Sequence, residues 1–169
     1  MSISLELLIV LVLILANGLF SMSEIALVSA RKVRLQQRAE DGVRSAKVAL
    51  QLANAPNRFL STVQIGITLV GVLTGAVGGA TLTEQLALLL GRIPGFAPYA
   101  QGSAFALVVL LITYFTLILG ELIPKRIGLN DPERVSEIVA EPMRLLSKLG
   151  APVVALLSAS TELGFRLLG

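Results

Sequence analysis

The chain has 169 residues, 54% of them hydrophobic, and its mean hydropathy of +0.82 points to an integral membrane protein. Cysteine, histidine and tryptophan are absent, which excludes disulfides, thiolate metal sites and histidine-based acid–base or triad catalysis. Any metal must therefore be met by oxygen ligands, which suit hard cations such as Mg²⁺, Ca²⁺ or Na⁺, and the formal net charge of +3 matters less than where the charges fall.

The first predicted element is a membrane helix over about 4–30, longer than the roughly 20 residues a span needs. No basic segment precedes it and its apolar run is too long for a signal peptide, so it is expected to be retained. Inside it lies ANGLFSMSE, residues 16–24. At about 100° per residue, Asn17, Ser21 and Glu24 share an arc of about 60° on one helix face, while Ser23 points away from it. Such a stripe is expected to face a bundle interior or a water-filled cavity rather than lipid. Interhelical hydrogen bonding is the plainer alternative, and a carboxylate favours an ion or substrate path. Glu6, at the other end of the span, reads as a solvated interfacial carboxylate.

The connection RKVRLQQRAEDGVRSAKVALQLANAPN has a helical pattern broken at Gly42. Its apolar side (Val33, Leu35, Val43, Ala46, Val48, Leu50, Leu52) opposes basic residues, so it is expected along a membrane surface where Lys and Arg meet anionic lipid. Pro56 suits the opening of the second membrane helix, with a span over about 59–77. There Gln64 and Thr68 share a face, and Gly71, Gly75 and Gly79 have the small-xxx-small spacing of close helix packing, within the chain or against a symmetry mate. Gly78–Gly79 is expected to break the helix, leaving ATLTEQLALLL as a separate short helix with Glu84 solvated at the interface. The segment GRIPGFAPYAQG is expected to be irregular.

The third span, about 103–123, ends in TLILGELIPKRIG. Pro124 disfavours helix at Ile123 and removes a donor, so carbonyls around Gly120 are expected to stand free beside Glu121, an arrangement a hard cation favours. The alternative is a kinked helix end with Glu121 paired to Lys125. Beyond Asp131–Pro132 come amphipathic juxtamembrane pieces interrupted at Pro142 and Pro152, and the apolar stretch 149–159 reads as an interfacial or packed helix rather than a fourth span. The chain thus divides into a three-span domain, 1–132, and juxtamembrane helices, 133–169.

Basic residues cluster between spans one and two and after span three, with Arg92 alone between spans two and three. The positive-inside rule then places the N-terminus outside and the C-terminal segment in the cytoplasm. No phosphate loop, nucleophile–base pair or dinucleotide fingerprint is present, so no enzyme is expected, and Lys/Arg clusters flanking spans suit a lipid bilayer rather than nucleic acid.

Taken together, ANGLFSMSEIAL, NRFLSTVQIGITLVGVLTGAVGG and GELIPKRIGLNDPE resemble the transmembrane domain of the CorC/cyclin M (CNNM) family, in order and over nearly the whole chain. The resemblance implies an all-α, three-span homodimeric domain with a juxtamembrane helical belt in a cell membrane. It also implies Mg²⁺ export coupled to Na⁺ entry, with regulatory CBS domains following in the full-length protein. It carries the family's ion site onto Asn17, Ser21, Ser23, Glu24, Gly120 and Glu121. A kink or unwinding near Gly18 is what would bring Ser23 to the stripe. The rival reading is a Mg²⁺ sensor or membrane scaffold that binds without transporting.

Overall fold

The computed structural model describes residues 3–168. Helix is the regular secondary structure among them and no strand occurs, so the chain is an all-α integral membrane protein as its composition predicts. Three stretches are long and apolar enough to cross a membrane: Ile3–Ser29, Pro56–Leu90 and Ala97–Asn130.

The first is helix α1, Ile3–Ser29. After it come α2 (Lys32–Glu40) and α3 (Arg44–Asn54), separated at Gly42, whose φ of 89° is the left-handed conformation that favours glycine. Helix α4 runs unbroken from Pro56 to Leu90. The expected break at Gly78–Gly79 and the separate helix after it are therefore not found. A glycine costs a helix only about 1 kcal/mol relative to alanine, whereas backbone groups freed in hydrocarbon cost several each. Gly78 is a site of close approach: a Cβ there would lie 2.6 Å from Ile112 Cδ1 and 3.2 Å from Val10 Cγ2. Glu84 is exposed, as expected.

The irregular segment after α4 is shorter than its composition suggests, because a 3₁₀ turn at Ala97–Tyr99 leads directly into α5, Ala100–Leu117. A five-residue π-helical segment, Ile118–Leu122, follows, then α6 (Ile123–Asn130), α7 (Pro132–Leu149) and α8 (Ala151–Leu168). Pro142 lies within α7 and does not interrupt it, contrary to expectation. It costs the hydrogen bond to the Ile138 carbonyl, but the neighbouring Ala140 and Met143 are buried, and that packing holds the helix through it. The break falls instead at Gly150, where α7 and α8 are bent by 61°. That pair together also meets the length and hydropathy required of a broken span, so the described helices give three crossings, or four if the bent pair is one span.

Two compact units form: Met1–Ser21 with Gly66–Lys125, and Met22–Ile65 with Arg126–Gly169. In the first, Val10, Ile14, Ala104 and Val108 are buried, and the ring of Phe20 fills the space that a side chain at Gly66 would need. In the second, α3 packs on α7, burying Ala46, Val48, Ala49 and Leu52 on one side and Val139, Ala140 and Met143 on the other. Asp131 caps α7 by accepting from the Arg134 backbone N–H at 3.2 Å. Two buried carboxylates of α7 are met from the α1–α2 connection and from α2. Glu133 accepts from the Arg31 backbone N–H at 3.4 Å, and Glu137 from Arg38 Nη2 at 2.9 Å.

Arg38→Ala leaves the Glu137 carboxylate buried without its cation. Since Arg38 itself is half exposed, we expect a loss of about 1–2 kcal/mol of stability, less than a fully buried pair would give, in denaturant unfolding.

Candidate functional site

Helix α1 places Asn17, Ser21 and Ser23 out of solvent and Glu24 in a half-buried position. The wheel separates Ser23 from the other three, yet its exposure is 0%, and α1 runs as one continuous helix through Gly18 without unwinding. Asn17 and Ser21 belong to the first unit, together with Gly120 and Glu121; Ser23 and Glu24 belong to the second.

In the first unit the geometry is tight. Pro124 has no N–H to offer the Gly120 carbonyl four residues earlier. The chain absorbs this by widening into the π-helical segment instead of ending the helix at Ile123. The Gly120 carbonyl is not left free, as the sequence suggests, but accepts from Asn17 Nδ2 at 3.1 Å. Asn17 Oδ1 is then buried with no hydrogen-bond partner. An unpaired amide oxygen in such surroundings calls for an explanation. The approach of α1 to the π segment is close enough to demand glycine at Gly18 and to leave little room at Gly120. A Cβ at Gly18 would lie 2.9 Å from the Leu119 carbonyl oxygen, and one at Gly120 would lie 3.2 Å from both Asn17 Nδ2 and the Ile14 carbonyl oxygen.

Glu121, next to Gly120, accepts from Lys125 Nζ at 2.6 Å. This is the i,i+4 pair of the plainer sequence reading, so Glu121 enters the site with an ammonium already on one of its oxygens. Among the described residues no group of three or more His, Cys, Asp or Glu side chains is placed to hold a metal. Besides the Glu121 carboxylate, the oxygens that the first unit's candidate residues offer are neutral ones: Asn17 Oδ1, the Gly120 carbonyl and the Ser21 hydroxyl.

Glu24 lines a 640 Å³ cavity of the second unit, which sequence reasoning did not foresee. Ser61, Gln64, Ser158, Thr161 and Glu162 add polar groups, and Leu60, Ile65, Val154 and Leu157 add an apolar wall. The available signal was the spacing of Ser158, Thr161 and Glu162, a polar stripe on an otherwise apolar α8. Gln64 shares this cavity, whereas Thr68 does not line it.

Gly71, Gly75 and Gly79 have no described atom within 4 Å of where a Cβ would be. They line an open 290 Å³ groove with Thr74, Thr113 and Thr116, so no helix of the described chain packs closely on them.

The family model described as the cyclin M transmembrane N-terminal domain matches residues 8–169. A UPF0053 protein of Synechocystis sp., sll0260, is 56% identical over 168 residues, covering 99% of this chain and 38% of that protein. The polyamine export protein of Haemophilus influenzae is 36% identical over 94% of this chain and 36% of its own length. The polyamine export protein of Escherichia coli K12 is 33% identical over 96% of this chain and likewise 36% of its own length. The chain thus spans less than two-fifths of these curated relatives.

Proposed function

Since the chain belongs to the cyclin M transmembrane family, we propose that it is the membrane-embedded part of a cation exporter that carries Mg²⁺ out of the cytoplasm, coupled to Na⁺ entry. The observation that carries this reading is Asn17: its amide nitrogen is spent on the Gly120 carbonyl while its oxygen is buried and unpaired. The basic connection between α1 and α4 supports an N-terminus outside and a C-terminus in the cytoplasm of a cell membrane. The bare Gly71–Gly75–Gly79 groove supports a homodimer, because a second copy is the ready source of a helix for a small-residue ridge.

The chemistry follows from the donors already seated on the ligands. The Asn17 amide N–H and the Lys125 ammonium occupy the Gly120 carbonyl and Glu121 that a cation would use. An entering Mg²⁺ displaces Lys125 from Glu121. Rotation of the Asn17 amide then exchanges its N–H₂ for Oδ1, turning a donor at the site into a ligand. Mg²⁺ needs six oxygens at about 2.0–2.1 Å and parts with water reluctantly, so it keeps several waters beside these few protein oxygens. Lys125 acts in this account as a tethered competitor. Lys125→Met is therefore expected to tighten Mg²⁺ binding by about twofold to fivefold, since a partly exposed ion pair contributes roughly 0.5–1 kcal/mol. Titration calorimetry on the purified protein measures it, and unchanged or weaker binding removes Lys125 from the mechanism.

A second reading rests on the Glu24 cavity and on the relatives' name. Two carboxylates, Glu24 and Glu162, with apolar Leu60, Ile65 and Leu157 beside them suit a diamine, whose charged ends are joined by methylenes. Reconstituted protein loaded on one side with both Mg²⁺ and 1,4-diaminobutane decides between the cargoes. Mg²⁺ movement that survives Glu162→Gln supports the first reading. Diamine movement abolished by that substitution, with Mg²⁺ static, supports the second. Binding with no movement of either supports the sensor or scaffold.

A further inference from the structure

Two polar cavities of the second unit, 720 and 560 Å³, adjoin and share Arg34, Asp131 and Glu133 as walls. The smaller includes Ser29 and Asn130, the last residues of the first and third membrane-crossing stretches, so it lies at the level where those stretches end. Over both cavities the lining carries four arginines (Arg31, Arg34, Arg38, Arg134) against three carboxylates, one positive charge in excess.

Hydrogen-bonding capacity is more one-sided than charge. Each carboxylate is already engaged. Asp131 caps α7, and Glu133 accepts from the Arg31 backbone N–H. Glu137 meets Arg38 at both oxygens, Oε1 at 2.5 Å from Nε and Oε2 at 2.9 Å from Nη2. That two-point contact with a buried carboxylate fixes the Arg38 guanidinium in place. The arginines, by contrast, keep donors in hand, since each guanidinium carries five N–H groups. Arg34 Nη1 lies 3.9 Å from Glu133 Oε1, beyond hydrogen-bond length. The exposed guanidinium of Arg134 has no hydrogen-bond or ion-pair partner among the described residues. What the cleft lacks is an acceptor.

We propose that this cleft binds a phosphate group, with Arg34 and Arg134 as its ligands and Arg38, oriented by Glu137, beside them. The ligand class follows from the donors. A phosphate presents acceptor oxygens in several directions, so arginines arriving from α2 and from α7 can meet it together, each with its planar fork. The acidic residues of the cleft repel it little, because their charges are compensated by the donors already on them. Two sources carry that group, a lipid headgroup and free phosphate. The position of the cleft at the ends of two membrane-crossing stretches favours the headgroup. The site does not depend on the cargo of the proposed exporter, and its test reads binding rather than transport.

The test is thermal unfolding of the protein in neutral detergent, without divalent cations and at constant ionic strength. The probes are short-chain phosphatidylglycerol, the diacylglycerol with the same chains, and inorganic phosphate. At about ten times its dissociation constant, phosphatidylglycerol should raise the wild-type midpoint by about 3–6 °C, and diacylglycerol should not. Arg134→Gln removes no described contact, so its folding is not at risk; it should weaken binding at least about tenfold and cut the shift to about a third. Arg34→Gln should do the same. Lys47→Gln, an equal loss of charge at an exposed residue that lines neither cavity, should keep the shift in full. An equal, Arg134-dependent shift with inorganic phosphate supports the site and assigns it to free phosphate. No shift with either phosphate probe overturns the proposal, as does a shift of the same size with diacylglycerol. A full shift in both arginine variants, or a loss in Lys47→Gln as large as in Arg134→Gln, reduces the effect to diffuse surface charge and overturns it too.

Discussion

Glu121→Gln is expected to abolish Mg²⁺ movement through the reconstituted protein while leaving its stability within about 1 kcal/mol of wild type. The two side chains have nearly the same shape, so the π segment keeps its packing. What disappears is the carboxylate of the residue that follows Gly120, whose carbonyl accepts from Asn17. The remaining protein ligands are neutral dipoles, and those cannot balance a divalent ion taken from water into a low-dielectric region. Stability is little affected because the Glu121–Lys125 pair is 41% and 36% exposed, and such pairs contribute little. Flux and unfolding measured on the same preparation separate the two effects. Wild-type flux from the variant removes Glu121 from the mechanism.

Gly18→Val is expected to have the largest structural effect, a loss of about 2–3 kcal/mol or failure to fold. The first atom a side chain meets at Gly18 is the Leu119 carbonyl oxygen, 2.9 Å from the Cβ position, and the second is Pro124 Cγ, also at 2.9 Å. Backbone and a proline ring cannot swing aside as the end of a long side chain can. Helix α1 and the π segment must separate instead, and the Asn17–Gly120 hydrogen bond goes with them. Gly102→Val is the control on the same measurement: nothing lies within 4 Å of its Cβ position, so its cost within the chain is small. Equal destabilisation by both would contradict the close approach of α1 to the π segment.

Much of this was legible in the sequence for a simple reason: hydrocarbon allows few solutions. Long apolar runs must be helices, because backbone groups there have no water to bond. Polar side chains inside them are expected to turn inward, which singled out Asn17 and Ser21, both buried, whereas Glu121 is 41% exposed and paired with Lys125. The same rule misled at Gly78–Gly79, where a soluble-protein habit of reading paired glycines as a break met a membrane helix with no alternative to its own hydrogen bonds. Pro124 was read correctly as a lost donor, but the response was not readable. Whether a helix ends, kinks or widens to a π turn depends on what stands opposite, and here Asn17 stands opposite Gly120. The burial of Glu6 and the sharing of one cavity by Glu24 and Glu162 depend on which helices flank which, and a single helix wheel carries no such information. Ser23 illustrates the same limit: off the stripe on the wheel, it is nevertheless fully buried.

The most direct measurement is cation movement by the purified wild-type protein in sealed liposomes, followed with a trapped Mg²⁺ indicator with and without an opposing Na⁺ gradient. Mg²⁺ flux is expected well above that of empty liposomes, faster when Na⁺ is high on the opposite side, and abolished by Glu121→Gln. Flux equal to empty liposomes in both conditions, from protein that binds Mg²⁺ in calorimetry, would contradict it and leave a cation sensor in its place.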